Sequence, residues 1–147
     1  MGARYGMTKR ETIMQAIVAA LAATGAKVIR NAEVPTSVPA NGFVVLRDGE
    51  PGEPEITLSP LTFTFEHVVE IEAYAQHQAK AARIITLDDL VAAIGTALAG
   101  DRTFGGLVDF AMPGGVTIHE QGQAGAASIA AATIPLTLSY TTTDPIL

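Results

Sequence analysis

The sequence predicts an α+β domain: an antiparallel or mixed β-sheet with two main helices packed on one face, and a long loop or arm near the C-terminal third. Two segments repeat apolar residues at helical spacing. One long segment alternates apolar with polar residues, and several short apolar runs are bounded by Gly or Pro. A length of 147 residues, 48% of them hydrophobic, suits one domain with its own core. We therefore expect a single domain over residues 7–147, preceded by an N-terminal extension at residues 1–6.

The first helix is predicted over residues 8–24. Thr8 and Glu11 form a capping box, in which the hydroxyl and the carboxylate satisfy free amides at the helix start. Gly25 is a natural C-terminal cap. The apolar side chains that follow the box share one helical face. They are Ile13, Met14, Ile17, Val18 and Leu21.

Residues 62–76 give the clearest strand signal. Odd-numbered positions are apolar except for His67, and all of them, His67 included, are expected to face the core. Even-numbered positions, which include Glu66, Glu70 and Glu72, are expected on the opposite face. Short strands are predicted before this segment, at residues 27–30, 43–46 and 56–58.

The second helix is predicted to begin at Thr86, which serves as N-cap before two acids, and to end at Gly100. A final strand is expected over residues 132–142. Pro135 lacks an amide hydrogen, so this strand is placed at a sheet edge or beside a bulge. The Gly/Ala-rich residues 112–131 are interpreted as a loop or flexible arm around a short strand at 116–118.

The outer faces of both predicted helices lack charge. The positions opposite the apolar stripes are small or neutral: Gln15, Ala19 and Ala22 in the first helix, and Ala92 and Thr96 in the second. Small uncharged side chains allow close approach of another chain without the cost of desolvating a charge. We interpret these faces as surfaces covered by neighbouring subunits. The alternative is an alanine-rich composition, because Ala is simply a good helix former.

Charge and residue types disfavour several functions. The net charge is −6, seven acids and no Lys or Arg occupy residues 48–72, and no Lys or Arg follows Arg102, which disfavours nucleic-acid binding. The absence of Cys excludes thiol catalysis and thiolate metal sites. No apolar stretch reaches the roughly 20 residues of a membrane span, so we expect a soluble protein.

No catalytic motif is evident. The histidines lack zinc-site spacing, no serine lies in Gly-x-Ser-x-Gly, and the glycine pairs lack the Lys of a phosphate-binding loop. Glu70 and Glu72 share a strand face, as glycosidase carboxylates can, but a solvated strand face explains them more simply. We expect no enzyme activity, no cofactor and no metal.

Several short stretches, in this order along the chain, carry a family resemblance. They are residues 7–13, 29–31, 45–52, 57–60, 66–67, 94–103, 105–109 and 140–142. Together they resemble the tail-terminator, or tail-completion, proteins of long-tailed phages, the lambda minor tail protein U-like group. The version found in alphaproteobacterial prophages and gene-transfer agents is especially similar. The resemblance covers nearly the whole chain from Met7, and its motifs are structural rather than catalytic.

The resemblance implies a virion protein of the tail or neck, assembled in the cytoplasm of the bacterial host. It implies a hexameric ring that caps the finished tail tube, ends polymerisation and presents a surface for head–tail joining. The partners are then further copies of the chain, the tail tube protein and a head–tail connector or adaptor. DNA passes through the lumen without specific binding, and no membrane is involved.

Two sets of charged residues are assigned roles on this basis. The first set is expected to face the lumen and comprises Glu66, Glu70 and Glu72. The second is expected to contact neighbouring subunits or the tube, with ordinary surface charge as the alternative, and comprises Arg47, Asp48, Asp101 and Arg102. The alternative functions are another neck or tail subunit, such as a tube protein or head–tail adaptor, and a small acyltransferase-like enzyme. The enzyme alternative lacks a nucleophile with a partner base.

Overall fold

The computed structural model describes residues 6–121 and 128–147, so the first five residues of the expected extension lie outside it. The described residues form two helices and seven strands. In chain order these are α1 (Lys9–Ala22), β1 (Lys27–Arg30), β2 (Phe43–Arg47), β3 (Glu55–Leu58), β4 (Leu61–Gln76), α2 (Lys80–Ala99), β5 (Phe110–Pro113), β6 (Thr117–Gln121) and β7 (Ile129–Thr142).

The strands form one mixed sheet in the order β1-β2-β4-β7-β5, with β3 also paired to β4 and β6 also paired to β7. The β1–β2 pair is parallel and the other pairs are antiparallel. The two helices pack against this sheet, so the predicted α+β class is confirmed. The long antiparallel pair β4–β7 forms its centre, because these strands match over the full length of β7.

The alternation in β4 determines the two faces of the sheet. Odd-numbered residues such as Val69 and Ile71 are buried with the helix side chains Ile17 and Ile94 in the main core. The strand β7 supplies matching core residues, since Ile71 pairs with Ile134. Burying this apolar face is what holds the helices on the sheet.

We call the sheet surface opposite the helices the open face. At one end it carries a small second cluster, comprising Phe43, Val45, Tyr74, Ile129 and Ala131. The loop between β1 and β2 packs Ala32 and Val38 on this cluster. The Val38 amide donates to Gln76 Oε1 at 2.8 Å, which fixes the loop there. The remainder of the open face carries the polar positions of β4.

Helix α1 is confirmed, with a cap that differs in part from the prediction. The Thr8 hydroxyl accepts from the Glu11 amide at 3.1 Å, as the capping box requires. The Glu11 carboxylate instead accepts from Arg30 Nη1 at 2.6 Å, because a charged donor competes better than a backbone amide. The helix ends at Ala22, and Gly25, at φ +81°, lies in the turn beyond it.

The predicted start of the second helix at Thr86 is wrong. Helix α2 begins at Lys80, and Thr86 lies inside it with its hydroxyl donating to the Ala82 carbonyl at 2.8 Å. His77 Nδ1 accepts from the Ala79 amide at 3.0 Å and supports the true start. Thr-Leu-Asp-Asp resembles a cap, but the residues before it are also compatible with helix and extend it. The end at Ala99 with Gly100 as C-cap is confirmed.

Within residues 112–131, the short strand expected at 116–118 is present as part of β6, whereas much of the loop or arm expected around it is strand where the structure describes it. Residues 112–113 belong to β5, Thr117–Gln121 form β6, and β7 already begins at Ile129. The rest of the expected arm, residues 122–127, lies outside the described residues.

Pro135 led us to expect the final strand at a sheet edge or beside a bulge. The strand instead lies inside the sheet. Strand β7 has β4 on one side and β5 with β6 on the other. The missing amide hydrogen of Pro135 faces the break between β5 and β6, where the Gly114 amide donates to the Pro135 carbonyl at 2.7 Å. A proline is tolerated inside the sheet because its neighbouring strand is interrupted at that position.

Candidate interaction surfaces

The outer faces of the helices are exposed as the sequence predicts. Gln15, Ala19 and Ala22 are exposed on α1, and Ala92 and Thr96 are exposed on α2. Their polar groups are satisfied locally: the Thr96 hydroxyl donates to the Ala92 carbonyl at 3.0 Å, and Gln15 Nε2 donates to Glu11 Oε2 at 3.2 Å. Covering these faces therefore leaves few new unsatisfied groups. We call them the helix backs.

An intramolecular ion-pair cluster involves one of the expected interface residues. Arg30 binds Glu11 at 2.6 Å, and its Nε donates to Asp48 Oδ1 at 3.1 Å, with a second contact from Nη2 to the same carboxylate. The hydrogen bonds that Arg30 donates to Asp48 and Glu11 raise the pKa of Arg30, and the bond donated by Arg30 lowers the pKa of Glu11. Asp48 thus ties β1 to the end of β2, and its carboxylate is already engaged within the chain.

A second ion pair lies on the open face. Arg47 Nε donates to Glu72 Oε2 at 2.8 Å, and the Tyr74 hydroxyl donates to Glu72 Oε1 at 2.7 Å. Burial raises the pKa of Glu72, but these two hydrogen bonds outweigh it and leave that pKa lowered. Burial and the bond to Glu72 raise the pKa of Tyr74 to about 12. Of the three acids assigned to the lumen, Glu72 is therefore neutralised locally.

The other two acids stand beside exposed apolar side chains. Glu66 and Glu70 are exposed on the open face, and Val68 lies between them. On the far side of β7, Phe110 and Met112 extend the same surface, because they pair with β7 residues that face Glu66 and Val68. The open face thus presents a mixed acidic and apolar surface.

Asp101 and Arg102 belong to the turn after α2. The Asp101 carboxylate accepts from the Thr103 amide at 3.0 Å and the Gly105 amide at 2.7 Å. These backbone hydrogen bonds lower the pKa of Asp101. Arg102 is partly buried, and its Nη1 is a buried atom with no hydrogen-bond partner among the described residues. Asp101 has a clear role in stabilising the turn.

His67 is a core histidine with both ring nitrogens engaged. Its Nε2 lies 2.6 Å from the Asp48 carbonyl, which can only accept, so Nε2 carries the hydrogen. Its Nδ1 lies 3.0 Å from the Tyr140 hydroxyl, which donates to it. Burial lowers the pKa of His67 and keeps the ring neutral. The arrangement stabilises the junction of β4, β7 and the loop after β2.

This burial predicts a pH dependence of stability. Because the pKa of His67 is lowered from 6.5 on folding, the unfolded chain binds more protons below pH 6.5. We expect the free energy of unfolding to fall as the pH decreases through 6.5, with a slope of at most about 1.4 kcal/mol per pH unit, because the folded imidazole stays neutral while the unfolded one takes up a proton. Chemical denaturation at each pH measures it. The control is His67→Gln, which should be less stable at neutral pH and lose this slope. An unchanged slope in this variant would contradict the prediction.

Two apolar surfaces were not identified from the sequence. The hairpin of β3 and β4 exposes Ile56, Leu58 and Leu61, and a groove of about 260 Å³ lies between α2 and β6. The sequence correctly predicted a strand at β3. The exposure of β3, however, depends on whether other elements of the fold extend far enough to cover it. No local pattern in the sequence carries that information.

Within residues 6–121 and 128–147, no group of three or more His, Asp or Glu side chains is placed to hold a metal ion. No helix in the same ranges is long and apolar enough to cross a membrane. No protein-family model matches the chain, and a search of curated proteins found no match. The resemblance to phage tail terminators stays a prediction. The fold and its surfaces define an α+β domain with several exposed neutral or apolar faces.

Proposed function

We propose that this protein is a structural subunit of a phage-type tail that assembles into a ring, caps the tail tube, ends its polymerisation and provides the surface for head–tail joining. The observation that carries the proposal is the pair of helix backs. Between Gln15 and Lys27, and again between Asp89 and Asp101, the chain has no charged residue although much of each helix is exposed.

An exposed helix face normally carries charge, because charged side chains are hydrated at no cost. A face buried between subunits carries small neutral residues, because an unpaired charge there would lose its hydration. Ala19 and Ala92 present only methyl groups to the outside of the helix layer. An alanine-rich composition also accounts for alanine at these positions. Charged substitutions on the helix backs distinguish this explanation from burial in a ring.

The open face supports the same function. Glu66 and Glu70 are exposed there, and the only Arg among the described β4 neighbours on that face, Arg47, is paired with Glu72. A lumen lined in this way would repel DNA and let it pass without binding. We keep Glu66 and Glu70 as the lumen-facing acids; Glu72 adds little field because Arg47 neutralises it. Charge-reversed Glu66→Lys and Glu70→Lys rings should retain DNA in the tail, and unchanged DNA passage would remove this assignment.

Electron microscopy of particles from a producer strain that lacks the gene tests the proposal. We expect overlong or unjoined tails beside DNA-filled heads, and normal particles when the gene is restored in trans. Normal particles without the gene would overturn the proposal. A tube subunit would instead polymerise when purified, and a neck adaptor would stay with filled heads when tails are missing.

A further inference from the structure

The turn that leads into β2 ends in a glycine that the packing requires. The Gly42 amide donates to the Pro39 carbonyl at 2.9 Å and closes a four-residue turn. Gly42 has φ +90°, and a Cβ built on it would lie 2.8 Å from Leu90 Cδ2 of helix α2. A residue with a side chain would be strained there and would push against α2. The residue before this glycine is Asn41, which is exposed.

An asparagine followed by glycine carries a reaction that needs no enzyme. The backbone nitrogen of Gly42 attacks Cγ of Asn41, and the side-chain nitrogen leaves as ammonia. Water then opens the resulting succinimide ring at either of its carbonyl carbons, which gives aspartate or isoaspartate. One water is consumed and one ammonia is released overall. A Cβ on the attacking residue hinders ring closure, so glycine favours the reaction.

The other asparagine of the chain is also exposed but differs in its surroundings. Asn31 is followed by Ala32, so the attacking nitrogen belongs to a residue with a side chain. Its Oδ1 also accepts from the Asp48 amide at 3.1 Å, which holds the side chain in one orientation. Within residues 6–121 and 128–147, the Asn41 side chain forms no hydrogen bond, so it is free to turn towards the Gly42 nitrogen. Position 41 is therefore the more reactive of the two.

A second residue pair can form the same ring, because aspartate before glycine also yields succinimide. Asp48 precedes Gly49, but Arg30 Nε donates to Asp48 Oδ1 at 3.1 Å and Arg30 Nη2 contacts the same carboxylate. A carboxylate paired with a guanidinium is a poor electrophile, and the pair restricts the rotation that ring closure needs. We therefore expect little isoaspartate at position 48.

We propose that Asn41 is the site at which this chain deamidates and forms isoaspartate, and that the packing of Gly42 against Leu90 is the reason why a reactive pair stands there. The reaction uses only the chain and water, so it is independent of the proposed ring. The hydrogen bond to Pro39 slows it in the folded chain, because the Gly42 nitrogen has to lose its hydrogen. Local opening of the exposed turn releases that hydrogen.

The product changes the junction between the turn and α2. Asn41 and Asp89 line the same cavity of about 200 Å³, so deamidation brings two carboxylates together there. Isoaspartate also adds one carbon atom to the backbone, which displaces Gly42. This displacement affects the contact with Leu90 and the hydrogen bond that the Lys27 amide donates to the Gly42 carbonyl at 3.2 Å. The pairing of β1 with β2 begins at Lys27, so it is weakened at its start.

Incubation of the purified chain at mildly alkaline pH tests the site. Cleavage after Glu33 separates the two asparagines, and mass spectrometry of the peptides measures the conversion of amide to acid at each. We expect Asn41 to convert at least about tenfold faster than Asn31, because only Asn41 precedes a glycine. Methyl labelling by an isoaspartate methyltransferase should locate isoaspartate at position 41. Equal rates at the two asparagines, or isoaspartate at position 48 instead of 41, would overturn the proposal.

The matched variant is Asn41→Gln, which keeps the amide but adds one methylene that disfavours ring closure. It should stop the methyl labelling and leave the melting temperature unchanged, because position 41 is exposed. Labelling that persists in this variant would place the reaction at another residue and overturn the assignment.

A second variant, Asn41→Asp, supplies the new carboxylate directly. It should melt about 1–2 °C below Asn41→Gln, and Asp89→Asn added to it should remove the difference. Equal melting temperatures, or a difference that persists after Asp89→Asn, would overturn the coupling of the deamidated site to α2.

Discussion

Replacing Gly49 with alanine is expected to lower the free energy of unfolding by about 3 kcal/mol or more. Gly49 has φ +61°, and a Cβ built on it would lie 2.4 Å from the Val68 carbonyl oxygen and 3.9 Å from His67 Nε2. The neighbouring backbone cannot yield cheaply, because the Asp48 carbonyl accepts from His67 and the Asp48 carboxylate binds Arg30. A shift of the loop leaves the buried imidazole unsatisfied, which adds to the loss.

The matched control is Gly52→Ala in the same loop. Gly52 has φ +73°, and a Cβ there meets nothing within 4 Å. Only the backbone strain applies, so we expect a loss of about 1–2 kcal/mol. Denaturant unfolding of both variants measures the difference, which isolates the collision with Val68. Equal losses would show that the loop relaxes freely and that its contact with His67 contributes little.

The spacing of apolar side chains and the local preferences of single residues made much of the fold predictable. Burial alternates strictly from Phe65 to Ile71 in β4, so the two faces of this part of the strand follow from a side-chain period of two. The strand at Lys27–Arg30 and the N-cap at Thr8 were likewise identified from short-range signals. These features depend on neighbours within a few residues.

The wrong predictions concern elements whose structure depends on residues that are distant in the sequence. Pro135 reads as an edge signal, but the strand beside it is interrupted at that point, so the proline is accommodated inside the sheet. Strand β5 carries too little pattern of its own and exists because it pairs with β7. Thr86 lies within a helix because helix formation continues upstream of it. None of these outcomes follows from local preference.

Some features of the candidate surfaces could likewise be predicted from local sequence, whereas others depend on contacts between distant residues. The helix backs could be predicted, because helical spacing alone places Ala19 and Ala92 opposite the core. Asp48 binds Arg30, which is distant from it in the sequence. The sequence therefore identified Asp48 as a charged residue but did not identify its partner. The exposure of the hairpin of β3 and β4, and of the groove between α2 and β6, likewise depends on the topology of the sheet.

Placing a charge on each helix back is expected to abolish assembly without unfolding the subunit. Ala19→Glu and Ala92→Glu combined put two carboxylates on surfaces that are exposed in the subunit, where substitutions cost within about 0.5 kcal/mol. In the ring each carboxylate would be buried without a partner, at about 3–5 kcal/mol per contact. This corresponds to a loss of at least about 100-fold in affinity between subunits.

The control keeps the positions small and neutral: Ala19→Ser with Ala92→Ser should assemble as the unaltered protein does. Light scattering of the purified chains and complementation of the deletion strain give two readouts of assembly, and the melting temperature reports folding. Glutamate variants that form rings and restore normal tails would show that the helix backs face solvent in the particle. Their alanines would then reflect helix propensity alone.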